Sequence, residues 1–162
     1  MRYLSTQAKD NKPYYHHTEI GYNYRMSNVL AAIGVGQMEA IEDRIKRTRE
    51  VNQIYRKEVG NLFYSFQEER ETDRSNMWLT CALMKGEDRP EDLIKHLAED
   101  NIEARRLWKP MHEQPVMQGY NKYINGNSSL LFLQGICLPS GSNLTRGDMK
   151  RIIKSIKTFF KK

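Results

Sequence analysis

From Ser27 onward the chain takes on the period of a helix with one apolar face. Leu30, Ile33, Met38, Ile41, Ile45 and Ile54 recur near steps of three and four, with charged residues between them. Ser27 is placed to cap the start, because a serine hydroxyl can accept from an early helical N–H. Gly60-Asn61 is a reasonable stop. The pattern predicts one helix over residues 27–60, long for a small domain, and a helix of that length spans two domains or a subunit interface. Gly34 and Gly36 each weaken it by ~1 kcal/mol against Ala. With Ala31 and Ala32 they predict the close approach of another backbone. Residues 1–26 show no steady period and are rich in Tyr, His, Asn and Lys.

Beyond residue 60 the pattern shortens and alternates in kind. Met77–Met84 reads as a buried strand ended by Gly86-Glu87-Asp88. Pro90 suits the first turn of a helix whose inner face is Leu93, Ile94 and Leu97, and Asn101 stops it. Residues 102–107 form a second short strand, giving a βαβ-like or hairpin-like unit. Trp108–Pro115 then falls on a loop at a strand end. Residues 128–135 form a short helix ending at Gly135, "ICLP" is a further strand, and "SGSN" is a turn. Thr145 caps a last helix, with Asp148 reaching back to the cap and a stripe of Met149, Ile152, Ile153, Ile156 and Phe159/Phe160. The order over residues 61–162 is that of a small α/β layer, with no internal repeat.

Composition adds constraints. A chain of 162 residues suits one ordinary domain. Its net charge of +6 and pI of 9.3 invite nucleic acid as a partner only if the cations cluster. Arg44, Lys46, Arg47 and Arg49 are the densest group, but Glu39, Glu42, Asp43 and Glu50 interleave with them, as on a solvated helix face. No apolar run approaches ~20 residues, and no secretory signal is visible. Neither nucleic acid nor membrane is therefore expected as a partner. Cys81 and Cys137 lie inside apolar runs and read as buried, reduced thiols of a cytoplasmic protein; their spacing fits no zinc pattern, and no metal is expected.

Candidate chemistry is sparse. His16-His17 is too close-set for two ligands of one metal, and His96 falls on the polar side of its helix, where solvent is expected. His112 lies in "RRLWKPMHEQP", a proline-held loop with Trp108, Lys109 and Gln114, the mixture of aromatic and donor groups that binds small polar ligands. A rigid turn packing its Trp on the core is the competing explanation. No phosphate-binding glycine loop, dinucleotide fingerprint or nucleophile elbow is present. The stretch "EIGYNYRMSN" (residues 19–28) places two tyrosines, an amide and a guanidinium ahead of the long helix without local reason.

Three stretches, "HTEIGYNYRMSNVLAAIGVGQME", "RRLWKPMHEQPV" and "GICLPSGSNLT", resemble in register the pyridoxal-phosphate-dependent nucleotide-sugar aminotransferases of the DegT/DnrJ/StrS group. The nearest likeness is to enzymes that aminate C4 of UDP-4-keto-6-deoxy-N-acetylglucosamine on routes to bacillosamine-type and exopolysaccharide sugars. The resemblance implies the C-terminal small domain of a fold-type I transferase (61–162), a long linking helix (27–60) and an active-site segment left from the large domain (1–26). It implies pyridoxal 5'-phosphate as cofactor, a UDP-linked ketosugar and glutamate as substrates, and a homodimer.

By the same resemblance Asn23 bonds the cofactor phosphate in the partner subunit and Arg25 faces the substrate. An amide donates to phosphate oxygens without adding charge, and a guanidinium suits a diphosphate. Trp108, Lys109 and His112 are implied substrate contacts. The Schiff-base lysine belongs to a segment ahead of these residues, and neither Lys9 nor Lys12 matches its motif. The chain is thus expected to be a fragment, catalytically inactive alone. A non-catalytic oligomerisation or regulatory module is the alternative.

Overall fold

The computed structural model describes residues 1–161, in two units, Met1–Ile41 and the remainder from Glu42. In the first unit, α1 (Arg2–Ser5) is a single turn. Its last turn and the residues just after it pair with the stretch at residues 22–24. Gln7 N–H donates to Tyr22 O (2.9 Å), Tyr22 N–H to Leu4 O (2.7 Å) and Tyr24 N–H to Ser5 O (3.1 Å), around an antiparallel bridge between Thr6 and Asn23. Gly21 makes this possible: a Cβ there would lie 2.2 Å from the Ala8 nitrogen, so any side chain would force the two segments apart.

Ser27 caps α2 (Asn28–Glu39), accepting from Leu30 N–H as expected. The helical stretch is not continuous, for Ala40 separates α2 from α3 (Ile41–Val59). Val29, Leu30, Ile33, Val35 and Met38 of α2 are all exposed. Within residues 1–41 nothing comes near a Cβ built on Gly34 or Gly36.

The second unit is a four-stranded sheet covered by helices. Its strands are β1 (Ser65–Phe66), β2 (Thr80–Leu83), β3 (Arg105–Arg106) and β4 (Gly135–Leu138). They are ordered β1-β2-β4-β3, and every neighbour is antiparallel. Helix α4 (Pro90–Glu99) connects β2 to β3. Those strands run the same way but are parted by β4, so the βαβ-like unit read from sequence is a split one. Pro90 sits in the first turn of α4 as expected.

Helix α5 (Asn127–Gln134) runs straight into β4 at Gly135. No larger residue fits there, since a Cβ would meet Leu107 Cδ1 at 2.0 Å and Leu131 O at 2.3 Å. Helix α6 (Arg146–Phe159) opens with the anticipated reciprocal cap: Asp148 N–H donates to Thr145 Oγ1 (3.1 Å) and Thr145 N–H to Asp148 Oδ2 (2.9 Å).

The core lies between the helices and one face of the sheet. Val51, Tyr55 and Val59 of α3, Leu93 and Leu97 of α4, and Met149, Ile152 and Ile156 of α6 pack on Ala82, Ile136 and Leu138. Burying each large side chain stabilises by about 1.5–3 kcal/mol. The apolar positions of α3 that pattern singled out are thus not its deepest ones; tertiary packing selects Val51, Tyr55 and Val59.

Candidate functional site

Each unit holds part of the residues singled out by sequence. In the first, the extended backbone at residues 22–24 sends alternate side chains to opposite sides. Tyr22 and Tyr24 stack on one side, centroids 5.2 Å apart and planes 11° from parallel. Asn23 and Arg25 are exposed. Neither side chain has a hydrogen-bond or ion-pair partner among the described residues.

The preceding loop is held by Asp10, which accepts from Tyr3 Oη (2.6 Å) and bonds His16 Nδ1 (2.7 Å). Those two bonds, Tyr3 first, hold the Asp10 carboxyl below its usual range. His17 bonds the Gln7 carbonyl at 2.9 Å, so both adjacent histidines brace the loop. Lys9 Nζ sits 4.5 Å from the centroid of the Tyr15 ring, a cation–π contact.

In the second unit, Trp108 leaves β3 and is exposed, tilted 33° against Trp78 at 6.1 Å. The two indoles border a cleft of about 430 Å³ that also takes in Arg105, Arg106, Cys137 and Ser140. Arg105 pairs with Glu103 (2.6 Å) and stays largely in solvent. Arg106 lies 4.0 Å from the Phe132 ring centroid and donates to Glu91 and the Phe132 carbonyl. On the far side of Trp108 a second, apolar cleft of about 370 Å³ is lined by Phe66, Cys81, Leu83 and Leu131. Trp108 therefore stands as a partition on the sheet face opposite the core.

His112 is more constrained than a free ligand-binding group. Ser129 Oγ donates to Glu113 Oε1 at 2.5 Å, and His112 Nε2 lies 3.2 Å from the same hydroxyl. With its proton given to Glu113, Ser129 accepts from His112, which fixes the Nε2–H tautomer. The trio ties the turn at Met111–Glu113 to α5. Lys109 is exposed with no ammonium partner among the described residues. His96 departs from expectation: it is half-buried, bonds the Ser155 carbonyl at 3.1 Å and packs on Phe159, because α6 covers that side of α4.

Sequence reasoning missed two features. Arg47 and Arg49 are not a solvated face: Arg47 donates to Leu144 O (2.6 Å), and Arg49 grips Glu69. The cations of α6 do line up, with Arg146, Lys150, Lys154 and Lys157 at helical steps beside a cleft of about 640 Å³ floored by Ile54 and Met149. That cleft lacks an aromatic ring, so it has nothing to stack a base or sugar. Steps of four and three in the sequence were the available signal. No group of three or more metal-binding side chains gathers among the described residues, and no described helix is long and apolar enough to cross a membrane.

A sheet of this kind backed by helices fits part of the α/β fold of type I pyridoxal-phosphate-dependent aminotransferases. The structure superposes on an aminotransferase involved in pseudoaminic acid biosynthesis, PseC of Helicobacter pylori, with a TM-score of 0.83 at 19% identity, over 99% of this chain and 45% of that one. Residues 1–157 match the DegT/DnrJ/EryC1/StrS aminotransferase family, and the chain belongs to it. It is 39% identical to the pyridoxal phosphate-dependent aminotransferase EpsN of Bacillus subtilis (strain 168), whose name marks that activity as provisional, over 98% of this chain and 42% of that protein. It is 35% identical to GDP-perosamine synthase of Escherichia coli O157:H7, over 90% of this chain and 40% of the relative. The chain spans about two-fifths of the length of these relatives.

Each unit can be compared by itself with the needs of a pyridoxal phosphate site. The unpartnered Asn23 amide suits a phosphate oxygen. The sheet cleft is lined by arginines and no lysine, while Lys9 is engaged over Tyr15.

Proposed function

We propose that this chain supplies the C-terminal part of a pyridoxal-phosphate-dependent aminotransferase that moves an amino group, with glutamate as donor, onto a 4-keto nucleotide sugar for surface polysaccharide or glycan synthesis. The observation that carries the reading is the tract from Gly21 to Arg25, held by backbone bonds on one side while Asn23 and Arg25 stay exposed and unpartnered. Groups fixed in place with nothing to bind are what a site completed by another polypeptide requires. Family membership supports the reaction class, and the name of the perosamine synthase supports a nucleotide-linked sugar.

When bound, the cofactor supplies the electron sink for transamination. Asn23 donates to its phosphate across a homodimer interface, adding no charge. Arg25 offers a planar fork to the diphosphate of a UDP-linked ketosugar. Trp108 gives the sugar or base an apolar face, Lys109 adds a mobile cation, and His112 can reach substrate only through Nδ1. The exposed apolar residues of α2 fit the same reading, since a large domain or a second subunit would cover them. The Schiff-base lysine would come from that large domain, and a cytoplasmic setting goes with a nucleotide-sugar substrate.

The test is amination of UDP-4-keto-6-deoxy-N-acetylglucosamine with glutamate and pyridoxal phosphate. The chain alone should give no product, and product should appear when the complementary N-terminal portion of the B. subtilis relative is added. A cofactor adduct fixed by borohydride and traced by mass spectrometry to a lysine of this chain would overturn the reading. So would a complemented assembly that binds cofactor yet aminates no nucleotide-linked 4-ketosugar.

A further inference from the structure

Cys81 and Cys137 face each other across the two central strands. They are directly opposed in the antiparallel register of β2 and β4, and their sulfurs are in hydrogen-bond contact at 3.7 Å with no disulfide between them. Their place in the ladder follows from the bonds around them. Met84 N–H donates to Gln134 O on the β4 side, Gln67 N–H to Cys81 O from the β1 side, and Leu107 N–H to Gly135 O from the β3 side. Backbone groups alternate direction along a strand, so Cys81 points its N–H and C=O at β1 and Cys137 points its own at β3. The pair is therefore a non-hydrogen-bonded one, the kind whose Cα atoms approach to roughly 4.5 Å and whose side chains lie closest. That separation is inside the range a disulfide spans, about 4.4–6.8 Å.

Access is present from both sides. Cys137 lines the cleft bordered by Trp78 and Trp108, and Cys81 lines the apolar cleft beyond Trp108. Both thiols are on the sheet face opposite the core, so joining them displaces no core side chain.

We propose that Cys81 and Cys137 form a reversible oxidation site that takes hydrogen peroxide and closes to an intramolecular disulfide. Cys137 is the attacking sulfur. Arg105 lies directly opposite Cys137 in the β3–β4 register, and the Cys137 thiol is held down by its hydrogen-bond contact with Cys81 and then by the Arg105 charge. The Cys137 thiolate attacks one peroxide oxygen, the O–O bond breaks, and the departing hydroxide takes a proton to leave as water. Cys81 then attacks the resulting sulfenic sulfur, the S–O bond breaks, and the second oxygen leaves as water with the Cys81 proton. Two thiols and one peroxide become one disulfide and two waters, a two-electron oxidation of the protein. A thiol reductant reverses it by exchange.

The inference does not depend on the aminotransferase reading, because it is tested on the chain without cofactor or substrate. Native protein is treated with stoichiometric peroxide near neutral pH, then analysed by intact mass and non-reducing peptide mapping. The expected result is a loss of about 2 Da, a single peptide pair linked through Cys81 and Cys137, and full return on adding dithiothreitol. The oxidised form should melt higher by about 5–10 °C, as expected for a cross-link closing a loop of this length. In Cys81→Ser the Cys137 sulfur should instead accumulate sulfenic and sulfinic acid. Disulfides only between chains, separate oxygen addition to each thiol in the native protein, or two thiols still titratable after treatment would each overturn the proposal.

Discussion

Arg49 and Glu69 meet in a two-pronged ion pair, with both guanidinium nitrogens 2.9 Å from separate carboxylate oxygens. Arg49 also reaches the Ser75 carbonyl (2.5 Å) while Glu69 accepts from the Ser75 N–H, so one pair pins a loop to α3. The Arg49 bond, followed by the Ser75 N–H, holds the Glu69 carboxyl below its ordinary value of 4.5. An unfolded chain then takes up the proton first, and the stabilisation is complete above about pH 4.5 and lost as pH falls through the folded value. Glu69→Gln should therefore narrow the gap in thermal midpoint between pH 7 and pH 3. A pH series of melts on both proteins checks this; equal slopes would show that the pair carries no proton linkage.

Ser140 stitches the ends of the central strands. It is buried, accepts from Thr80 N–H at 2.7 Å and donates to Leu138 O at 2.7 Å. Ser140→Ala removes both of these buried hydrogen bonds, which together cost about 1–3 kcal/mol. The melting midpoint should fall by roughly 3–10 °C for a domain of this size. Ser142→Ala, two residues on, removes only an exposed contact to Arg44 at 3.4 Å and should be near neutral. A similar drop in both would place the effect in the turn and not in the Thr80 bond.

What the sequence disclosed follows from how local each cause is. The Thr145–Asp148 cap, Pro90 in the first turn of α4 and Ser27 ahead of α2 depend on residues within a few positions, and all three were legible. β1 was not: Ser65 and Phe66 form a strand only because Leu83 and Ala82 lie opposite. The roles of Ser140 and His96 depend on partners some sixty residues away, at Thr80 and Ser155, so residue type pointed elsewhere. For the candidate site, the resemblance marked Trp108 and His112 by position, while the structure supplied their neighbours, Trp78 and Ser129.

Gly21 and Gly34 look alike in sequence and should behave oppositely. Gly21→Ala places a methyl group against the Ala8 backbone and should open the Gln7–Tyr22 and Ser5–Tyr24 pairing. Amide exchange at Gln7, Tyr22 and Tyr24 should speed up markedly. Gly34→Ala sits in α2 with nothing near its Cβ within residues 1–41, and should raise helix stability by about 0.5–1 kcal/mol. Exchange at the α2 amides should slow. Unchanged protection in Gly21→Ala would show that the pairing tolerates the extra carbon.

Trp108 tests whether the sheet cleft meets the substrate. It is exposed and leans on Trp78 at 6.1 Å, so its removal forfeits little buried area and the fold should survive. Stacking of a base on an aromatic ring contributes about 1–3 kcal/mol. In the complemented assembly, Trp108→Ala should raise the KM for the nucleotide sugar by roughly 5- to 150-fold, with kcat changed far less, because contacts remote from the reacting carbon act on binding. Trp108→Phe should recover most of the loss. Trp78→Ala should show a smaller rise, by loosening the orientation of Trp108. A KM that stays fixed in Trp108→Ala while the melting midpoint drops would make the indole pair a packing element and move substrate contact to Arg25 and Lys109.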